Sequence, residues 1–93
     1  MSFFVYLLVS NNKNKPISYV GYTNDLKKRV NLHNNSKGAK FTKGRLWKLA
    51  YFNQYKSKIK ALKEEYKLKK NYKLRAKIKK DFLSNENSNT FTL

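Results

Sequence analysis

The chain has no cysteine among its 93 residues, and His33 is its only histidine. The missing thiols exclude disulfides, thiolate metal sites and cysteine nucleophiles. A single imidazole nearly excludes a zinc site as well, because such sites draw their ligands mainly from Cys and His. The apolar run near the start, residues 3–9, is short and has no basic segment before it. We therefore expect neither a signal peptide nor a membrane span.

Acidic residues are also scarce. Five Asp and Glu stand against 22 Lys and Arg, which leaves a formal net charge of +17. Such an excess favours a polyanionic partner, since Lys and Arg release the counterions condensed on phosphates. An A/T-rich genome is another possible reason for the many Lys and Asn residues. An anionic membrane surface is a rival partner, but no basic amphipathic helix with a strong apolar face supports it. With 40% hydrophobic residues, the chain is too apolar to be disordered. We expect a soluble, cytoplasmic, basic domain that could lie on the nucleoid.

Three strands and three helices are predicted. Residues 3–9 and 17–22 are β-branched and aromatic, which predicts two strands, and the polar residues 10–16 between them are typical of a hairpin loop. Side chains alternate between two faces over residues 47–55, which predicts a third strand. One face of that strand is predicted to carry Trp47, Leu49, Tyr51 and Tyr55. Helices are expected from the Asp25 cap to about residue 33, from the Ser57 cap to about residue 70, and over residues 72–83.

The order β-β-α-β-α-α predicts an α+β fold, a three-stranded antiparallel sheet flanked by helices. Residues 1–83 form the predicted domain, and polar residues 84–93 are expected to be a flexible C-terminal tail.

The first predicted helix carries a stripe of residues toward the sheet. Its members recur at i, i+3, i+4 and i+7: Leu26, Arg29, Val30 and His33. At about 100° per residue this spacing is one helix face, so Arg29 and His33 lie one turn apart on the inward side. A half-buried Arg needs an anionic partner. The pair is therefore either an arginine at the helix edge beside a core histidine, or part of a functional site.

Two adjacent carboxylates of the second helix differ in their surroundings. Glu65 falls within the apolar side of the helix, whereas Glu64 has Lys60 and Lys67 at ion-pair spacing and is expected to face solvent. An inward carboxylate is unfavourable unless it meets a cation. A salt bridge to Arg29 and a carboxylate ligand for Mg²⁺ both satisfy that requirement, and the residue pattern leaves both open.

Two tyrosines lie in the middle of the first two predicted strands. Tyr6 and Tyr19 would be core aromatics in most proteins, and they are also candidates for a site between the strands. Gly21 follows Tyr19 by two positions, and a glycine inside a strand indicates a bulge or a close approach.

The segment 37–45 is a basic loop with two glycines. Its cations are Lys37, Lys40, Lys43 and Arg45. Such a loop suits backbone phosphates, although a solvated charged loop is the commoner meaning.

Five residues in order make a recognisable constellation: Tyr6 in Val5-Tyr6-Leu7, Tyr19 in Tyr19-Val20-Gly21, Arg29, His33 and Glu65. Over about residues 3–83 the chain resembles the GIY-YIG endonuclease family, and most closely its small stand-alone bacterial type. The loop 37–45 and the stretch 61–66 also match that type. The first motif has Phe4 in place of its glycine, and the second has Val20 in place of isoleucine.

The resemblance implies metal-assisted hydrolysis of a phosphodiester bond. Glu65 would hold one divalent ion, Mg²⁺ or Mn²⁺, and Arg29 would neutralise charge on the phosphoryl oxygens. Tyr6, aided by Tyr19 or His33, would position and deprotonate the attacking water, with a nearby cation favouring the phenolate. The products would be a 5′-phosphate and a 3′-hydroxyl.

The implied function is a metal-dependent DNA endonuclease directed by DNA structure, with a role in DNA repair or recombination. The residues do not distinguish DNA from RNA, and a targeting protein is an open partner. One alternative is a non-catalytic nucleic-acid binder that retains the fold; another is a structural basic protein whose aromatics are core.

Overall fold

The computed structural model describes residues 2–12 and 15–91. The strands are β1 (Phe3–Asn12), β2 (Lys15–Thr23) and β3 (Lys48–Tyr55), and the helices are α1 (Leu26–Asn34), α2 (Lys58–Lys70) and α3 (Tyr72–Phe91). A short 3₁₀ turn, Lys40–Thr42, lies between α1 and β3. The order β-β-α-β-α-α and the α+β class are as predicted. No helix in the described part of the chain is both long enough and apolar enough to cross a membrane.

The central strand β1 separates two hydrophobic cores. The sheet order is β2-β1-β3, and β1 pairs antiparallel with both neighbours. Because successive side chains of a strand point to opposite faces, Val5 and Leu7 contribute to one core, while Tyr6 and Leu8 contribute to the other. Helices α2 and α3 cover the first core, and α1 with Trp47 covers the second. Tyr6 therefore lies on the face that α1 covers.

The hairpin is longer than predicted. Most of the segment 10–16, predicted as a loop, is strand, with Ser10 opposite Ile17 and Asn11 opposite Pro16. Backbone pairing extends past the apolar residues because a ladder needs only free N–H and C=O groups, and proline is tolerated in the edge strand β2. The remainder of the predicted loop, residues 13–14, lies outside the described residues.

The predicted face of β3 is wrong. The pairing of β1 with β3 shifts in register between Leu7 and Leu8, which leaves Ala50 as an extra residue. Such a bulge reverses the alternation beyond it. Trp47 and Leu49 pack on the face of Tyr6 and Leu8, whereas Tyr51 and Tyr55 pack in the core on the opposite face.

The helix starts follow the predicted caps. The Asp25 carboxylate accepts the Lys28 N–H at 3.1 Å, and the Ser57 hydroxyl accepts the Lys60 N–H at 3.2 Å. Asn71 ends α2 and also caps α3, because its side-chain oxygen accepts the Leu74 N–H at 3.1 Å. Helix α3 continues to Phe91, beyond its predicted end at residue 83, since a helix nucleated by packing propagates at little cost. The flexibility of residues 84–93 stays a prediction.

Candidate active site

The first two strands bring Tyr6 against Gly21. These residues face each other across the β1–β2 ladder, and a Cβ atom at Gly21 would overlap the hydroxyl oxygen and Cζ of Tyr6. The sequence predicted a bulge or a close approach of backbone at Gly21, whereas what approaches it is the side chain of Tyr6. Tyr19 lies on the same face, with its ring centroid 6.5 Å from that of Tyr6.

Helix α1 adds His33 to the two tyrosines. The imidazole is 1% exposed, and its Nε2 lies 2.8 Å from the Tyr6 hydroxyl oxygen. Its Nδ1 lies 2.8 Å from the Thr42 hydroxyl oxygen, and its ring centroid is 5.1 Å from that of Tyr19. His33 thus joins β1, α1 and the loop 37–45.

Arg29 lies one turn before His33 and is half-buried. Among the described residues, no carboxylate lies within 4.0 Å of its guanidinium. Its charge lowers the pKa of His33 and also acts to lower the pKa of Tyr6. The salt bridge from Arg29 to Glu65, one of the two alternatives for this carboxylate, is not formed. Within the described part of the chain Arg29 therefore has no ion-pair partner, and its charge acts on the aromatic cluster of Tyr6, Tyr19 and His33.

The two carboxylates of α2 differ in direction more than in burial. The Glu65 side chain is 20% exposed and pairs with Lys69 at 3.8 Å. Its charge adds to the larger effect of burial in raising the pKa of both Tyr6 and Tyr19, so it lies within electrostatic reach of these tyrosines. The Glu64 side chain is 23% exposed, and it pairs with Lys60 and Lys67 at 3.6 and 3.8 Å as predicted.

The environment of Tyr6 favours the neutral phenol over the phenolate. Burial raises the pKa of Tyr6 well above its usual range, with Tyr19 adding to the rise and Arg29 opposing it. Burial also raises the pKa of Tyr19, and burial followed by Arg29 lowers the pKa of His33. The family resemblance implied that a nearby cation favours the phenolate. In the protein alone, burial outweighs Arg29 because desolvation disfavours every charged form.

The cluster opens to solvent on the side of Tyr19. A cleft of about 260 Å³ is lined by Ser18, Tyr19, Val20, Phe41, Lys69 and Arg75. Phe41 is 59% exposed, and its ring stacks on Tyr19 with centroids 6.1 Å apart and 21° between the planes. Tyr19 lines this cleft and contacts the rings of Tyr6 and His33, which do not line it, so a ligand entering the cleft meets Tyr19 first.

The basic loop borders the same opening. Lys37, Lys40 and Lys43 are exposed and Arg45 is half-buried, and the loop also carries Phe41 and Thr42 to the cluster. Sequence reasoning missed these two residues. The sequence signal for these two residues was their position between the predicted loop cations. Contacts made by a loop follow no periodic pattern that would predict them.

A divalent metal could be held here by one carboxylate. The described residues contain no group of three or more His, Cys, Asp or Glu that could bind a metal ion. Glu65 is half-buried, and among the described residues its one ion pair is the long contact with Lys69. A single carboxylate fits Mg²⁺ or Mn²⁺, since hard cations keep several waters and take further oxygens from a substrate phosphate. The donor set does not fit zinc.

The GIY-YIG class is defined by an antiparallel sheet that carries two tyrosines, with one helix that carries Arg and His and another that carries Glu. The family model for the GIY-YIG catalytic domain matches residues 2–79, and the chain belongs to the GIY-YIG family. Its similarity to curated proteins points to the small bacterial members called UPF0213 proteins, as the resemblance predicted.

Three relatives illustrate the similarity. A UPF0213 protein of Clostridium perfringens is 43% identical over 68 residues, which is 72% of this chain and 70% of that protein. One of Staphylococcus epidermidis is 45% identical over 67 residues, 71% of this chain and 78% of that protein. The solution NMR structure of a UPF0213 protein from Bacillus halodurans is 32% identical, covers 83% of this chain and 80% of that one, and has a TM-score of 0.49. These names state no activity.

Proposed function

We propose that the protein is a metal-dependent endonuclease that hydrolyses phosphodiester bonds in DNA. The observation that carries the proposal is the contact of Tyr6 and Tyr19 with His33. Arg29 lies one helical turn from His33, and the charges of Arg29 and Glu65 both act on the two tyrosines. Of these, Tyr6 and His33 are in direct contact at 2.8 Å, and Arg29 has no carboxylate partner in the described structure. Membership of the GIY-YIG family supports nuclease chemistry.

The residues divide the reaction between them. Arg29 neutralises charge that develops on the phosphoryl oxygens, a contact that typically contributes about 10²–10³ in rate. Tyr6 accepts a proton from the attacking water as its own proton passes to Nε2 of His33, so no phenolate has to form in advance. Tyr19, at the opening, orients the phosphate. Glu65 would hold the divalent cation, Mg²⁺ or Mn²⁺, which supplies charge neutralisation on the leaving-group side. The products are a 5′-phosphate and a 3′-hydroxyl.

The substrate is proposed to be DNA recognised through its backbone. Lys37, Lys40, Lys43 and Arg45 belong to the loop whose Phe41 lines the cleft, and we propose that they bind backbone phosphates, which carry no sequence information. We therefore propose that branches, flaps or single strands direct cleavage, in DNA repair or recombination in the cytoplasm, with an unidentified protein aiding targeting.

The neighbouring carboxylates of α2 provide a matched test. Glu65→Gln should lower cleavage of DNA by roughly 10²-fold or more, because an amide cannot replace a charged ligand of a divalent cation. Glu64→Gln, with nearly the same exposure, should leave cleavage unchanged. The measurement is cleavage of single-stranded, duplex and branched DNA with Mn²⁺ or Mg²⁺, beside DNA binding. Equal activity of the two variants, or cleavage that survives chelation, would contradict the site.

The burial of Tyr6 and His33 favours a second candidate function. Tyr6 and His33 are 2% and 1% exposed, as expected of core residues in a nucleic-acid binder that retains the fold without the chemistry. That function predicts salt-sensitive binding by the wild type and no cleavage with any divalent metal.

A further inference from the structure

Three hydrogen bonds in series run from β1 to the backbone of the basic loop. The Tyr6 hydroxyl oxygen lies 2.8 Å from His33 Nε2, and His33 Nδ1 lies 2.8 Å from the Thr42 hydroxyl oxygen. The Thr42 hydroxyl donates to the carbonyl oxygen of Ala39 at 2.8 Å. The three side chains are 2%, 1% and 0% exposed, so bulk solvent competes little for these hydrogen bonds.

The donor and acceptor of each hydrogen bond in the series follow from the carbonyl group at its end. A carbonyl oxygen only accepts, so the single proton of Thr42 points at Ala39, and Thr42 must accept a proton from Nδ1 of His33. A neutral imidazole with its proton on Nδ1 has a bare Nε2, which accepts from Tyr6. The reverse direction would leave two acceptor oxygens, those of Thr42 and Ala39, facing each other at 2.8 Å.

We propose that Thr42 is a positioning residue that fixes His33 in the tautomer protonated on Nδ1 and so keeps Nε2 free for the proton of Tyr6. The loop therefore has a role beyond its cations. The catalytic consequence rests on the proposed function, whereas the tautomer does not.

Thr42 is itself held on two sides. Its backbone N–H donates to the Ala39 carbonyl at 3.1 Å, and its own carbonyl accepts the indole N–H of Trp47 at 2.9 Å. Gly38 leaves room for the imidazole, because a Cβ atom there would lie 2.5 Å from His33 Nδ1. Rigid support of this kind is what holds a functional side chain in one geometry.

The tautomer can be read directly because His33 is the only histidine. Two-bond proton–nitrogen correlation spectra of nitrogen-15-labelled protein at about pH 8, above the ordinary imidazole pKa of about 6.5, should show a protonated Nδ1 and a bare Nε2. In Thr42→Val, which keeps the shape and removes the hydroxyl, we expect a mixture of tautomers. Thr42→Ser should restore the wild-type spectrum. A wild-type spectrum with the proton on Nε2 would overturn the proposal, whether or not the variants fold.

Cleavage assays measure the consequence. Thr42→Val should lower kcat by about 10- to 100-fold, within the range of general acid–base contributions, with KM for DNA unchanged, and Thr42→Ser should recover most of the loss. A folded Thr42→Val that keeps the wild-type tautomer overturns the proposal, as does a Thr42→Ser that restores neither readout. If the wild type cleaves no DNA with any metal, the proposed function fails, and the spectra still decide the role of Thr42.

Discussion

The surroundings of His33 favour its neutral form, and this has a measurable consequence. Burial, followed by the charge of Arg29, lowers the pKa of His33. Both effects act against the imidazolium, the first by desolvation and the second by repulsion of like charges. The proposed proton transfer from Tyr6 to His33 requires a neutral imidazole, because only a ring nitrogen without a proton can accept one.

We therefore expect the NMR titration of His33 to have its midpoint below the ordinary value of about 6.5. The unfolded chain binds this proton first, so the free energy of unfolding should fall as the pH drops below about 6.5 and level off below the folded-state pKa. His33 is the only histidine, so the titration of the ring needs no assignment. A midpoint at or above the ordinary value would contradict the neutral relay.

At the level of single residues, the sequence could predict those whose types and spacing are distinctive. Arg29 and His33 share a helical stripe, and the tyrosines have a motif around each. Thr42 was missed because its partner is nine residues away through an irregular loop, and a hydroxyl in a lysine-rich segment has no pattern that predicts burial. The raised pKa of Tyr6 was also missed, since burial depends on the packing of all three strands.

At the level of elements, strand cores and helix caps were predictable, and ends and bulges were not. Asp25 and Ser57 are local signals that act within one helical turn. The register shift opposite Leu7 and Leu8 arises between two strands distant in sequence, so no pattern within β3 reveals it. The extension of the hairpin to Asn12 and Lys15 likewise depends on backbone pairing rather than on side-chain type.

The close pairing of β1 and β2 predicts that Gly21→Ala destabilises the protein by about 1–3 kcal/mol, the usual effect of overpacking a core. The backbone of Gly21 is outside the left-handed region, so alanine itself meets no strain there. The added methyl group instead collides with the buried ring of Tyr6, which His33 and Tyr19 confine. The measurement is urea unfolding of the wild type and the variant.

A double-mutant cycle isolates this contact. Tyr6→Leu removes the ring, so in that background Gly21→Ala should cost at least about 1 kcal/mol less than in the wild type, a coupling typical of residues in contact. The same destabilisation in both backgrounds would show that the Tyr6 ring is not what excludes a side chain at position 21.

At the level of the whole molecule, the charge of +17 attracts any polyanion, and the question is where that polyanion lies. The loop 37–45 is a better candidate for the DNA-binding surface than the other lysine-rich segments. Its own residues Phe41 and Thr42 contact Tyr19 and His33. Lys40 and Lys43 flank these two residues in the chain. A phosphate backbone that reaches the cleft therefore passes beside them.

Salt dependence distinguishes the loop from the rest of the charge. Each phosphate neutralised on duplex DNA contributes about −0.9 to the slope of log K against log salt concentration. The variant Lys37→Ala/Lys40→Ala/Lys43→Ala should therefore reduce the magnitude of the slope by roughly 2–3. Fluorescence anisotropy of labelled DNA between about 50 and 200 mM salt measures it.

The control removes the same charge from the exposed face of α3. Lys73, Lys77 and Lys80 are exposed and recur at helical spacing, so Lys73→Ala/Lys77→Ala/Lys80→Ala matches the loop variant in net charge. Its slope should change by less than about 1, the value for a single phosphate contact. Equal changes in the two variants would mean that the charge acts as a diffuse field, and the loop would then lose its assignment as the surface that holds the DNA backbone.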